Sequence, residues 1–208
     1  MRSADADRTA RARIRDAAVA RFASDGFGAS VRTIAADAGV SPGLLGHHYG
    51  SKDGLRTACD QYVLDRLHDT ETGALAGGPA AMLATLGQVE EFAPLVGYLL
   101  QTFVAGGPLA TTVLGRMTAD AERGLAEAVE AGTVKPSRDP AARAAHLVDV
   151  GIGTLLAFTR RHPPVDGDLR PVLRAYADAR TLPALELYTH GLLADSAVLD
   201  GWLAGAGS

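Results

Sequence analysis

The stretch "SVRTIAADAGVSPGLLGHHYGSKDGL", residues 30–55, constrains this chain more than any other. Ser30 can cap a short helix over 31–38 whose inner face is Ile34, Ala35 and Ala38. Gly39 supplies the positive φ of a sharp turn, and Ala35 is small where two helices would cross. Ser41 then suits an N-cap and Pro42 the first helical position, where its missing N–H costs nothing. The Ser-Pro-Gly triplet therefore opens a second helix rather than prolonging a loop. Leu45 and Tyr49, four apart, point inward together, and Val40 seals the small core. Two short helices joined by so tight a turn make a helix-turn-helix, which leaves the outer face of the second free to enter a DNA major groove.

The flanks agree. From Thr9 to about Ser24 the apolar residues Ile14, Ala18 and Phe22 recur on one helical face, with Arg11, Arg15, Asp16 and Arg21 off it. Gly26 is a natural stop, and Phe27 tucks back into the core. Ser51 caps a fourth helix bearing Leu55, Tyr62 and Leu67. Further helices are expected at about 79–92, 94–105, 108–131, 140–162 and 170–194, separated by Gly- and Pro-rich breaks such as "AGTVKPSRDP" and "RHPPVDGD". Alternating strand patterns are scarce and no fixed repeat is visible, so the fold class is all-α.

Composition narrows the function. Formal charge is −4 overall, yet residues 1–66 hold ten Lys or Arg against eight Asp or Glu. Such a split suits a small phosphate-facing module joined to an acidic second domain. The single cysteine, Cys59, excludes an internal disulfide and reads as a packing thiol in a reducing cytoplasm. The N-terminus lacks a signal-peptide pattern, and no apolar run is expected to span a bilayer. His47 and His48 point about 100° apart on a helix and have no local third ligand, so no metal or cofactor is expected. An enzyme remains the alternative class, with His146 and Asp149 its best dyad. No nucleophile elbow, phosphate loop or zinc-helix motif accompanies them.

Residues 8–56, from the helix ending in "FASDGF" through "SVRTIAADAGVSPGLLGHHYGSKDGL", resemble the N-terminal domain of the TetR family of bacterial transcriptional regulators. The resemblance implies a three-helix helix-turn-helix DNA-binding domain at 1–56, followed at 57–208 by a larger helical ligand-binding and dimerisation domain. It also implies a cytoplasmic homodimer on a near-palindromic DNA operator, answering a small-molecule effector and involving no membrane. Repression is the usual sign. A DNA-binding dimer without an effector is the other reading within the class.

Residue by residue, the resemblance puts Ser41, Pro42 and Gly43 where the recognition helix meets the groove. Leu44 reads a thymine methyl, His47 meets base edges or sugar-phosphate, and His48 lies near the backbone. Lys52 is a phosphate contact, and Arg32 and Thr33 on the bracing helix touch phosphate or an outer base pair. Arg2, Arg8 and Arg11 are read as following the phosphates or reaching a minor groove, or else as an unstructured, solvated arm. Gly46 departs from the family, standing where many relatives carry a large side chain that touches the DNA backbone.

In the second domain, pocket candidates are Tyr98, Gln101, Thr102, Arg116, Asp120, His146, Asp149 and Thr154, polar residues within apolar stretches. Arg116 and Asp120 are also spaced for a surface ion pair. The expected dimer contact uses the last two long helices, through Val150, Gly151 and Leu155 on one and Leu182, Leu185, Tyr188 and Leu192 on the other.

Overall fold

The computed structural model describes residues 2–74 and 90–206. Among these residues there are helices and no strand, so the all-α architecture holds. The helices are α1 (Arg2–Asp25), α2 (Val31–Asp37), α3 (Pro42–Tyr49), α4 (Lys52–Ala74), α5 (Ala93–Ala105), α6 (Pro108–Glu130), α7 (Pro140–Arg161), α8 (Arg170–His190) and α9 (Ala197–Ala206). The helix expected at 79–92 lies outside the described residues except for a turn at 90–92.

The head is built as its local signals dictate. Gly26, at φ +74°, ends α1 and donates its N–H to the Phe22 carbonyl at 3.1 Å. Ser30 caps α2 by accepting from Thr33 N, and Ser41 caps α3 by accepting from Leu44 N, at 3.1 and 3.2 Å. Gly39, at φ +64°, makes the turn between them. Ile14, Ala18, Phe22, Ile34, Ala35, Leu45, Leu55 and Cys59 close one buried cluster. The larger of these side chains each contribute about 1.5–3 kcal/mol of apolar burial. The helical start at Arg2 corrects the expected start at Thr9, so the backbone there is helix rather than an unstructured arm.

Head and body share that cluster. α4 runs unbroken through residues 56 and 57, where the two domains were expected to meet. α5 lies along α1 so closely that a Cβ on Gly97 would come within 2.9 Å of Ala23 Cβ. Tyr98, on α5, is fully buried with its ring edge-on to Phe22 and Phe27, and its hydroxyl donates to Asp60 on α4. Burial and the Asp60 carboxylate both push the Tyr98 phenol above its ordinary range.

Further along, α6 packs along α7. α7 meets α8 through Phe158 and Tyr176, with rings 5.4 Å apart, and through a 2.8 Å bond between the Thr154 and Tyr176 hydroxyls. Two sequence expectations need correction here. The last helix does not run to 194: Gly191, at φ +81°, ends α8, and a separate helix α9 follows. Asp195 accepts from Ala197 N at 2.9 Å at the start of α9. Secondly, α7 is by length and composition apolar enough to cross a membrane. Its polar residues, such as Arg143, His146 and Asp149, interrupt the linear pattern without interrupting the helix. Little of its apolar stretch is buried within the chain.

Candidate nucleic-acid interface

On α3, inward and outward residues separate. Leu45 is buried, and Tyr49 turns inward so that its hydroxyl donates to the Arg11 carbonyl at 2.7 Å. Partial burial raises the Tyr49 phenol above its usual range. Ser41, Pro42, Gly43 and His47 are exposed, and Leu44 is half-buried beside them. Ser41, Pro42, Gly43 and Leu44 stand at the N-terminal end of the helix, and His47 follows in its last turn. His48 is half-buried, its ring 5.7 Å from that of His47 and tilted at 64°. Among the described residues no group of three His, Cys, Asp or Glu could hold a metal.

Neighbouring elements supply the rim. Arg32 is exposed on α2, while Thr33 shares a 2.8 Å hydroxyl bond with Ser30 and so serves the cap. Lys52 is half-buried at the start of α4. Gly46 has no atom within 4 Å of where a Cβ would sit, so no packing demand within the chain explains this glycine. A Cβ on Gly43 would meet only Ser41 Oγ, at an ordinary contact distance of 3.9 Å.

The basic run on α1 proves to be largely structural. Arg13 reaches from α1 to the carbonyls of Ala38 and Gly39, at 2.6 and 3.1 Å through Nη2, and so fastens the helix-turn-helix turn. Arg21 forks onto Asp37 at 2.6 and 3.0 Å and also meets Asp25. The Arg21 hydrogen bond holds the Asp37 carboxyl below its ordinary range. Arg15 binds Asp16 and lies 3.8 Å above the Tyr62 ring. Arg11 sits 5.5 Å from the Tyr49 ring centre, so the positive charge counted in this quarter is only partly available to phosphates.

Sequence reasoning missed two residues that set the pose of α3. Arg13 is one, and its partners lie 25 and 26 residues away, beyond any local pattern. Gly54 is the other: a Cβ there would stand 2.2 Å from the Tyr49 carbonyl oxygen. A glycine in the first turn of a helix was the available signal, since it weakens the helix by about 1 kcal/mol and so implies a close approach. Cys59 is buried beneath α1 and its thiol is pushed up to about 12 by desolvation, as suits a packing group.

The pocket candidates do not converge. Tyr98 and Thr102 belong to the core, and Thr102 Oγ1 donates to the Tyr98 carbonyl at 3.0 Å. Arg116 is exposed, and Asp120 pairs with Arg123. His146 and Asp149 are both exposed, and Thr154 serves the α7–α8 contact. Gln101 alone of the eight lines the cleft that opens between head and body, about 1430 Å³ in volume. Its walls come from α1 and α2 (Asp16, Arg21, Asp37), from α5 (Leu100, Gln101), and from the loop between α7 and α8 (Asp166, Gly167). That loop touches the head directly, for a Cβ on Gly167 would lie 2.6 Å from Ser24 Cβ.

Of the expected dimer residues, Gly151, Leu182, Leu185, Tyr188 and Leu192 are exposed in the single chain, and Val150 and Leu155 are half-buried. Leu182 and Leu192 retain 73% and 84% of their surface.

Comparison with known proteins matches both parts of this architecture. Residues 14–59 match the family described as bacterial regulatory proteins, tetR family. Residues 90–194 match the tetracyclin repressor-like C-terminal domain. The HTH-type transcriptional regulatory protein RaaS of Mycobacterium tuberculosis is 47% identical over 207 residues, covering 99% of this chain and 96% of that protein. A solved structure described as the molecular basis for control of antibiotic production by bacterial hormones aligns over 88% of this chain and 96% of its own, at 27% identity and TM-score 0.65. A TetR-family transcriptional regulator from Pectobacterium atrosepticum shares the fold at TM-score 0.56 and 20% identity, over 92% of this chain and 97% of its own. With a helix-turn-helix head, an all-helical body and matches across both, the chain belongs to the TetR family of bacterial transcriptional regulators.

Proposed function

We propose that this protein is a one-component repressor, without enzymatic activity, that binds a near-palindromic operator as a homodimer and leaves it when a small molecule binds. The outer row of α3 carries this reading: Ser41, Pro42, Gly43, Leu44 and His47 face outward from a head whose inner row is locked in the core. Leu44 and His47 read base edges, while His48, Lys52 and Arg32 position the head on phosphates. The DNA-binding unit is residues 1–56 and the effector-binding and dimerisation unit 57–208. Dimerisation through α7 and α8 places two copies of α3 in successive major grooves.

The effector site is the cleft of about 1430 Å³, where residues of the effector-binding unit such as Leu100 and Gln101 face Asp16, Arg21 and Asp37 of the DNA-binding unit. A ligand that fits one separation of head and body better than another must change operator affinity. The solved relative whose description links bacterial hormones to control of antibiotic production supports a small-molecule effector. The first test is fluorescence anisotropy on the protein's own upstream DNA against scrambled DNA of equal length, at two salt concentrations. Preference for the upstream DNA is expected, and His47→Ala should cost about 1–3 kcal/mol of it. Equal binding to both DNAs, together with an empty genome-wide selection of bound fragments, would refute the operator reading.

A further inference from the structure

We propose that α9 is an exchange arm, which leaves its own chain and packs on the second copy in the dimer. Within one chain the helix has almost nothing to pack against. Val198 is 68% exposed, Leu199 50% and Trp202 72%. Val198, Leu199 and Trp202, with half-buried Leu203, stand at i, i+1, i+4 and i+5, so they share one apolar face. A ten-residue helix is too short to hold itself in water. Gly201 and Gly205 weaken it further, by about 1 kcal/mol each relative to alanine. Its order therefore needs a surface that this chain does not supply.

Charge and position select the second copy as that surface. From Asp195 to Ser208 there are two aspartates and no lysine or arginine, which disfavours both nucleic acid and an anionic membrane. Exposed apolar residues recur from α8 (Leu182, Leu185 and Tyr188) through Leu192 and Leu193 to Val198, Leu199 and Trp202, with the polar Thr189, His190, Asp195 and Ser196 between them. Residues 191–196 can span at most about 20 Å, so α9 must settle beside the end of α8, at the margin of the proposed dimer face. A twofold axis then makes the arms reciprocal, each covering the other chain. The match to the tetracyclin repressor-like C-terminal domain stops at residue 194, which makes α9 an addition to the matched domain.

The inference rests on the dimer reading above, and the chain offers a way to test the two separately. Trp202 is the sole tryptophan, so its emission and its quenching by acrylamide report on α9 alone. The full chain is followed by sedimentation and fluorescence together, as wild type and as the Leu182→Asp/Leu185→Asp variant. Shielding of Trp202 in the wild-type dimer and exposure in monomers of the variant are expected. Trp202→Ala, read by sedimentation, should weaken the dimer about thirtyfold, as loss of a buried aromatic anchor does. A dimer whose Trp202 is fully quenched overturns the arm and leaves the dimer standing. A wild type that is monomeric throughout overturns both. Shielding that persists in monomers, or appears only on adding anionic lipid vesicles, also overturns the arm.

Discussion

The head and the last three helices obey opposite rules of satisfaction. In the head, apolar side chains meet inside one chain, and Arg13 and Arg21 are spent on carbonyls and carboxylates of the same unit. In the second half of α8 and in α9 most of the large apolar residues stand exposed, and those of α7 are mostly half-buried. Two sites carry part of the contrast: a Cβ on Gly54 in the head would strike the Tyr49 carbonyl oxygen, whereas Gly151 and Gly153 on α7 face open space. One region is therefore finished by its own sequence, while the other is left with apolar surface uncovered within the chain.

Gly54→Ala should break the finished half most severely. Its Cβ would collide with the Tyr49 carbonyl oxygen, and the cost should be about 3 kcal/mol, seen as a lowered Tm and lost DNA binding. The unfinished half should respond in the reverse sense. Leu182→Asp with Leu185→Asp should leave chain stability within about 0.5 kcal/mol, since both side chains are exposed. The same pair should weaken self-association by about 2 kcal/mol or more in sedimentation equilibrium. A large loss of monomer stability would show that those leucines are buried within the chain after all.

Smaller effects sharpen the comparison within the head. Gly46→Ala meets no neighbour within 4 Å and should raise stability by about 0.5–1 kcal/mol in urea titration, by helix propensity alone. The Arg21–Asp37 pair sets the lower limit. Asp37 is held below its ordinary range by Arg21, so the stability it confers is present above the unfolded carboxylate value near about 4 and is lost as pH falls through the folded value. Both side chains are about a third exposed, so Asp37→Asn should cost only about 0.2–1 kcal/mol at neutral pH and nothing in acid. A pH series of chemical denaturation measures that difference.

Sequence legibility follows the same division. Ser30, Gly39, Ser41 and Pro42 act on atoms a few residues away, so helix ends and the turn could be read from the letters. The outer row of α3 followed, since its inner row was fixed by Leu45 and Tyr49. Arg13 could not be read, because its partners are carbonyls brought near only by tertiary folding. The cleft was missed for the same reason: its walls come from α1, α2, α5 and the α7–α8 loop, segments far apart in the chain. The start of α9 did carry a local signal, an Asp-Ser pair ahead of "AVLDGWL". Continuous apolar spacing across Gly191 hid it.

The unbroken course of α4 has a mechanical meaning. Its 23 residues make a rod of about 34 Å that begins next to the recognition helix and ends in the body. A tilt of about five degrees at the far end displaces the near end by about 3 Å. That is close to the spacing of about 3.4 Å between successive phosphates along the axis of one strand. In the proposed dimer, a rod this stiff would turn an angular change too slight to disturb side-chain packing into a mismatch of almost one base step between two heads and their half-sites.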